Sequence, residues 1–424
     1  MNRLRTTILP LLLMLITPPI VALVWITCVH HDGSLLALAR ALSLDMLVRE
    51  WPRPSLAAVQ IIAVFALLEA VLLVVIPGKK HLGPVTPAGN RPAYKLNGVA
   101  AWLVTHAILY VAAYQLHWFS PGLVYDRFGE ILTTLTLASL AFCVFLYFKG
   151  SYFPSSTDAG RSGNVIWDFY WGVELHPTVL GYSLKQYINC RLGIMGWSVL
   201  IVAFLAKQHE ATGHVSTSML VSVLIQLAYI VKFFYWESGY FGSLDIMHDR
   251  FGYYICWGVL AWIPAVYALV AFYLVSHPVE LSTPYAAFCL ILGFGSIWAN
   301  YDADAQRQRV RETNGECTVW GRKPELIAAR YRTSDGEERQ NLLLASGWWG
   351  LARHFHYVPE VTLSLAWTLP VGFTHALPYF YIVFLSILLF DRSGRDELRC
   401  AKKYGEDWVR YRARVRSRII PRVY

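Results

Sequence analysis

Long apolar runs separated by short polar loops dominate the chain. A bilayer core about 30 Å thick is crossed by roughly 20 apolar residues in helix. Runs of that kind lie near residues 8–28, 57–77, 96–117, 131–149, 192–206, 218–235, 253–275 and 284–299. A further stretch, 361–390, is divided at Pro370 and Gly372, which predicts a tight hairpin of two short or partly buried helices. The pattern predicts an all-α, polytopic membrane protein with about ten transmembrane helices. Arg3 and Arg5 precede the first run as in a signal peptide. That run is too long for a signal core, contains Pro18 and Pro19, and lacks a clear small-residue cleavage site, so it reads as a retained span.

Between the runs, positive charge is unevenly placed. Lys79, Lys80, Arg91 and Lys95 share one loop, and Arg307, Arg309, Arg311, Arg322, Lys323, Arg330, Arg332 and Arg339 share another. The tail after residue 391 is basic as well. With a cytosolic N-terminus these segments all follow an even number of spans, as the positive-inside rule requires, although the opposite loop at 29–56 also holds arginines. Residues 321–341 read as two short strands around a Ser334-Asp335-Gly336 turn. The expected organisation is a membrane anchor of about four spans over residues 1–150. A catalytic region over 151–424 follows, with about six more membrane helices and cytosolic loops and tail.

Composition agrees. Of the 424 residues 56% are hydrophobic and 15% charged, against about 25% charged in soluble domains. Aromatic residues, 15% of the chain, suit membrane–water interfaces. The net charge of +9 lies in loops beside apolar spans, which points to membrane orientation and away from nucleic acid. Seven cysteines form no CxxC pair, so neither a disulfide framework nor a zinc site is readable.

Several constellations could carry chemistry. Arg307 and Arg311, four apart, would share a helix face and could clamp a phosphate; the same pair could merely set topology. In residues 342–360, Gly347 and Gly350 flank Trp348 and Trp349, followed by Arg353, His354, His356 and Tyr357. Flat rings beside glycine suit a planar cofactor, while an interfacial aromatic belt would look the same. His354 and His356 lack the spacing for a shared metal, and no metal is expected. The tail 391–411 is too charged to span a membrane; Asp396, Cys400, Lys403 and Asp407 lie near one stripe of a helix that could cap a pocket or simply be solvated. Asp168 and Glu174, and then Glu237, Asp245, His248 and Asp249, are ionisable groups beside apolar spans, which mark functional sites or cap helices. Gly293 and Gly295 sit inside an apolar run without a third glycine, so any nicotinamide site is not of the Rossmann type.

Taken together, the segments DFYWGVELHP, IMHDRFGYY, HPVELSTP, WGRKP, LLLASGWWGLARHFHYV, LPYFY and DELRCAKKYGEDWVRY resemble the sterol reductase family. That family includes 7-dehydrocholesterol reductases, C14 sterol reductases and the lamin B receptor. The resemblance covers residues 160–424 well and the first spans weakly, and HPVELSTP, WGRKP and LPYFY look most like the 7-dehydrocholesterol branch. It implies an NADPH pocket on the cytosolic side. A Lys and an Arg that meet the adenosine-side phosphate in the family fall on Arg307 and Arg311, so the first is Arg here. Further cofactor contacts carry over to Leu344, Trp349, His356 (where the family has Asn), Tyr357, Asp396, Cys400, Ala401, Lys402, Lys403, Tyr404 and Tyr411.

The implied reaction reduces a ring double bond, most simply C7–C8 of a sterol drawn from the bilayer. A conjugated diene can be protonated and then quenched by hydride, so an acid is needed; Tyr411, Asp396, Asp245 and Glu237 are the candidates. Reduction of the Δ14 bond is the alternative within the family. An isoprenylcysteine-methyltransferase-like enzyme would have a similar tail but no use for a phosphate clamp. A receptor like the lamin B receptor would carry a basic N-terminal region, whereas the first span starts near residue 8. The expected location is the endoplasmic reticulum membrane in a eukaryote and the inner membrane in a bacterium.

Overall fold

The structure, a computed structural model, describes residues 3–332 and 336–424. Among them, eight helices are long and apolar enough to cross a bilayer: Leu4–His30, Leu56–Val75, Gly98–Gln115, Phe128–Tyr152, Gln186–Thr212, Thr217–Tyr235, Tyr253–Ser276 and Leu377–Tyr404. The chain is a multi-pass integral membrane protein. Of the other two expected membrane helices, the one at 284–299 is built differently, and the first of the hairpin is short, as expected. Residues 284–299 are the apolar first half of one 30-residue helix, Thr283–Glu312, whose second half is charged. The stretch from 361 gives the 12-residue helix Tyr357–Thr368, about 18 Å long at 1.5 Å per residue and too short to cross. Turns at Leu369–Val371 and Leu377–Tyr379 then lead into the last long helix.

The chain forms two compact units: Met1–Thr86, Asn90–Leu281 and Pro370–Pro378 make one, and Pro87–Gly89, Ser282–Leu369 and Tyr379–Tyr424 the other. In the first, Tyr253–Ser276 is the most enclosed helix, 78% buried against 22% for Leu4–His30 and Leu56–Val75. Those outer helices turn Leu15, Val64 and Leu67 outward, as lipid contact requires. Pro18 and Pro19 lie inside an unbroken first helix, which membrane helices tolerate. Pro264 coincides with a widened π-helical stretch, Gly258–Tyr267, because proline offers no amide to the α ladder. Ser34, Ser43, Ser55 and Ser216 cap the helices that follow them.

Ionisable groups buried in this unit have polar partners. Arg191, fully buried, lies 3.0 Å from Glu237 and donates to Asn97 Oδ1 at 2.7 Å. Glu69 accepts from Thr105 at 2.5 Å. Lone ions at such depth are costly, so each is drawn to a partner.

In the second unit the Tyr357–Thr368 helix packs along Thr283–Glu312. Asn300 Nδ2 joins them, donating to the His356 carbonyl at 3.1 Å and to Glu360 at 2.9 Å. Strands Leu326–Arg332 and Glu338–Leu344 pair antiparallel from Leu326↔Leu344 to Arg332↔Glu338. The expected hairpin is present, shifted a few residues towards the C-terminus; Ser334 and Asp335 of the expected turn lie outside the described residues. Ala329 and Leu343 share a core with Cys400, Tyr404, Trp408 and Tyr411. Gly405, at φ 53, ends the Phe380–Tyr404 helix and starts Glu406–Arg414, a conformation glycine adopts at little cost.

Candidate active site

The charged half of Thr283–Glu312 organises the site. Asp302, Ala303, Gln306, Arg307, Val310 and Arg311 follow the three- and four-residue spacing that places side chains on one face. Nearly three turns up from its end, Asp302 Oδ2 accepts the Trp348 indole N–H at 2.8 Å and Gln306 Nε2 at 2.7 Å. Gln306 Oε1 accepts the Trp348 amide at 3.3 Å. Trp349 Nε1 donates to the Ala303 carbonyl at 2.6 Å. The tryptophan pair is thus fastened to this helix at three points. Gly347 makes the approach feasible: its φ is +61, and a Cβ there would stand 2.2 Å from Gln306 Oε1 and 2.5 Å from Val319 Cγ1.

Arg307 lies with its guanidinium carbon 4.4 Å from the Trp349 ring centroid and pairs with Asp304 at 3.1 Å. Arg311, one turn on, has no ion-pair partner among the described residues. Its side chain is exposed to solvent. Desolvation pulls its pKa down to about 10, with the charges of Arg307 and Arg399 acting in the same direction. It still carries its charge at neutral pH. From the last long helix, Arg399 binds Asp396 Oδ1 through Nε at 3.0 Å and Nη2 at 2.5 Å. Lys403, four residues on, places Nζ 3.8 Å from the Tyr331 ring centroid. Four cations are therefore near one another, and among the described residues Arg311 has no carboxylate of its own. Neighbouring cations of this kind suit an anion with several oxygens.

Aromatic rings stand beside these cations. Trp349 and His356 have centroids 4.9 Å apart, and His356 and Tyr357 4.3 Å. Tyr411 donates to the Leu344 carbonyl at 3.0 Å, and burial raises its phenol pKa. Asn341 Nδ2 donates to Tyr404 Oη at 2.8 Å, and Cys400 is buried beside them. Arg307, Arg311, Leu344, Trp349, His356, Tyr357, Asp396, Cys400, Lys403, Tyr404 and Tyr411 all belong to the second unit. Ala401 and Lys402 share the last helix but are exposed.

Two of the expected acids lie in the first unit. Glu237 is tied to Arg191 and to the Gly98 amide at 3.1 Å, and burial raises its pKa. Asp245 gives its carbonyl to the buried Lys185 Nζ at 3.0 Å, as Ile246 does at 2.7 Å. Asp168 accepts the Ser162 amide, and Glu174 pairs with Lys149 at 2.7 Å. Sequence reasoning overlooked Arg399, although it lies four residues before Lys403, and overlooked the Asp302–Gln306 support because neither residue type signals a contact to indole. It also passed over Glu69, a lone acid in an apolar run.

Cations and aromatic rings gathered in this way on a multi-pass membrane protein define a candidate site for small-molecule chemistry. The profile of the "Ergosterol biosynthesis ERG4/ERG24 family" matches residues 14–424, and the chain belongs to that family of sterol reductases. It is 50% identical to a 7-dehydrocholesterol reductase of Arabidopsis thaliana over 96% of this chain and 95% of that protein. A 7-dehydrocholesterol reductase of Danio rerio is 37% identical over 87% of this chain and 80% of its own length. A Delta(14)-sterol reductase of Methylotuvimicrobium alcaliphilum is 33% identical over 98% and 94%.

Proposed function

We propose that this protein is an NADPH-dependent reductase of the C7–C8 double bond of 7-dehydrocholesterol, giving cholesterol. The observation that carries the cofactor reading is Arg311, a cation with no counter-ion among the described residues, set beside Arg307 and Trp349. Such a group fits a phosphate monoester that the cofactor brings. The substrate reading is supported by the 50% identity to a 7-dehydrocholesterol reductase. The Delta(14)-sterol reductase at 33% makes the Δ14 bond the second reading.

When bound, the reduced nicotinamide supplies the hydride. The chain's own residues do the rest. Arg307 and Arg311 hold the adenosine-side phosphate, with Lys403 and Arg399 adding charge. Trp349, His356 and Tyr357 wall the site with rings that exclude water from a developing allylic cation. Asp396 serves as a proton relay and not as a standing acid, since it rests ionised in its bonds to Arg399 and must take up a proton before passing it on, whereas the Tyr411 proton is committed to the Leu344 carbonyl. Glu237 and Asp245 serve to tie the first unit together.

Incubating membranes that contain the protein with NADPH and either 7-dehydrocholesterol or a Δ8,14-diene, and identifying products by mass spectrometry, tests the reading. Loss of the C7–C8 bond is expected. Reduction of the Δ14 bond alone would favour the second reading, and no NADPH-dependent product from either sterol would remove both.

A further inference from the structure

One buried group beside the clamp has no part in the scheme above. His354 is 4% exposed, and its Nε2 has no hydrogen-bond partner among the described residues. Two carboxylates from the last long helix face that nitrogen just beyond bonding distance, Asp396 at 4.0 Å and Glu397 at 3.8 Å. The imidazole lies flat on Tyr357, with centroids 5.4 Å apart and planes 10° apart, and its centroid is 6.3 Å from that of His356. Its backbone is pinned: the His354 amide donates to the Arg418 carbonyl at 2.8 Å. A ring nitrogen left without a partner in such a place is costly, and a movement of under 1 Å, or one proton, would satisfy it.

Charge sets the state of the ring. Facing it are Asp396 and Glu397; around it stand Arg353, bound to Glu397 at 2.6 Å, Arg412, 3.7 Å from Glu397, and Arg418 from the tail. Burial pulls the His354 pKa down to about 4, the carboxylates oppose this, and Arg353 and Arg418 reinforce it. The imidazole is therefore neutral at physiological pH. The clamp is within electrostatic reach, for the charge of Arg307 is felt at Asp396. A phosphate placed among Arg307, Arg311 and Arg399 cancels part of that positive field and draws Arg399 from Asp396. Both effects raise the proton affinity of the His354–Asp396 pair.

We propose that His354, acting through Asp396, is the positioning residue at which this enzyme loads the proton its reduction consumes, and that a phosphorylated dinucleotide in the clamp brings that proton on. The proposal rests on the reading of the clamp given above. Linkage then requires proton uptake on binding, and affinity that strengthens as pH falls.

Calorimetric titration of the full-length protein with NADP+ near pH 6.5, in buffers of different ionisation enthalpy, measures this directly. Wild type should take up a proton fraction, roughly 0.3–1 per site, seen as a buffer-dependent heat. NAD+ should bring on less. His354→Gln should bind NADP+ within about threefold of wild type, with a heat that no longer depends on buffer. Glu397→Gln, which keeps the imidazole but removes one carboxylate, should lower the uptake and replaces His354→Gln if that variant does not fold. Buffer-independent heat in wild type overturns the proposal, as does undiminished uptake in the variants. Absence of any NADP+ binding to wild type would instead remove the dinucleotide reading on which it stands.

Discussion

Arg307 stands over the face of Trp349, its guanidinium carbon 4.4 Å from the ring centroid, while the Trp349 indole N–H is bonded to the carbonyl of Ala303, one turn earlier on the same helix. The ring is thus held by the helix that carries the cation resting on it, so cation and ring are placed together. Their separation is set by helix geometry, with little left to side-chain freedom.

Removing the unpaired cation should separate two cofactors. Arg311→Ala is expected to raise the Michaelis constant for NADPH by about 10- to 100-fold, since hydrogen bonds to a charged group contribute about 1.5–3 kcal/mol. The constant for NADH should change little. Steady-state kinetics with both cofactors decides this, and equal effects on both would place no phosphate at Arg311.

Trp349 contributes a face and a donor, and two substitutions divide them. Trp349→Phe keeps a ring under Arg307 but loses the bond to the Ala303 carbonyl. Trp349→Ala loses both. Cation–π contacts are worth about 0.5–2 kcal/mol, so NADPH affinity should fall by a few-fold in the first and by more than tenfold in the second. Equilibrium binding measured by fluorescence would show that order.

Gly347 should tolerate no side chain. With φ at +61 and Gln306 Oε1 only 2.2 Å from an added Cβ, Gly347→Ala must displace Gln306 and with it the Trp348 amide. Strained left-handed backbone and lost contacts of this kind cost about 1–3 kcal/mol. A lower melting midpoint in detergent, together with weaker NADPH binding, is the expected result; a variant indistinguishable from wild type would contradict the fastening described here.

The buried pair Arg191–Glu237 should show the asymmetry of buried ions. Arg191→Leu leaves Glu237 uncompensated and should destabilise by about 3–5 kcal/mol. Adding Glu237→Leu should restore much of that loss. Thermal unfolding of the two single variants and the double variant measures the coupling.

Stability should fall as pH drops through the range below neutrality. His354 and His176 are held by burial at about 4 and about 3, below the usual histidine value of 6.5. Between those values and 6.5 the unfolded chain binds protons that the folded chain does not, so stability rises with pH across this window and the loss is complete below it. His354→Gln should flatten the slope between pH 4 and 6.5 by on the order of 3 kcal/mol. Melting midpoints of both proteins at pH 7 and pH 5 would reveal it; parallel curves would show that His354 is not held neutral.

The helical membrane architecture was legible because lipid leaves few choices. A run such as 57–77 must be a helix, since nothing else satisfies its backbone in hydrocarbon. The Arg307–Arg311 pair was legible for a similar reason, as helical periodicity alone puts four-apart residues on one face. Local patterns of this kind do not depend on distant neighbours. Which polar groups meet across the chain does depend on them. That Arg191 would find Glu237 and not water, that Asp302 would hold Trp348, and that His354 would face Asp396 and Glu397 from 42 and 43 positions away could not be read from spacing, because folding selects each partner from many chemically equal ones. The short helix before Pro370 was visible in the same way, because proline and glycine interrupt the apolar run, whereas its packing along Thr283–Glu312 was not. Hydropathy and periodicity are properties of neighbours in the chain, whereas an ion pair or a shared proton is a property of neighbours in space.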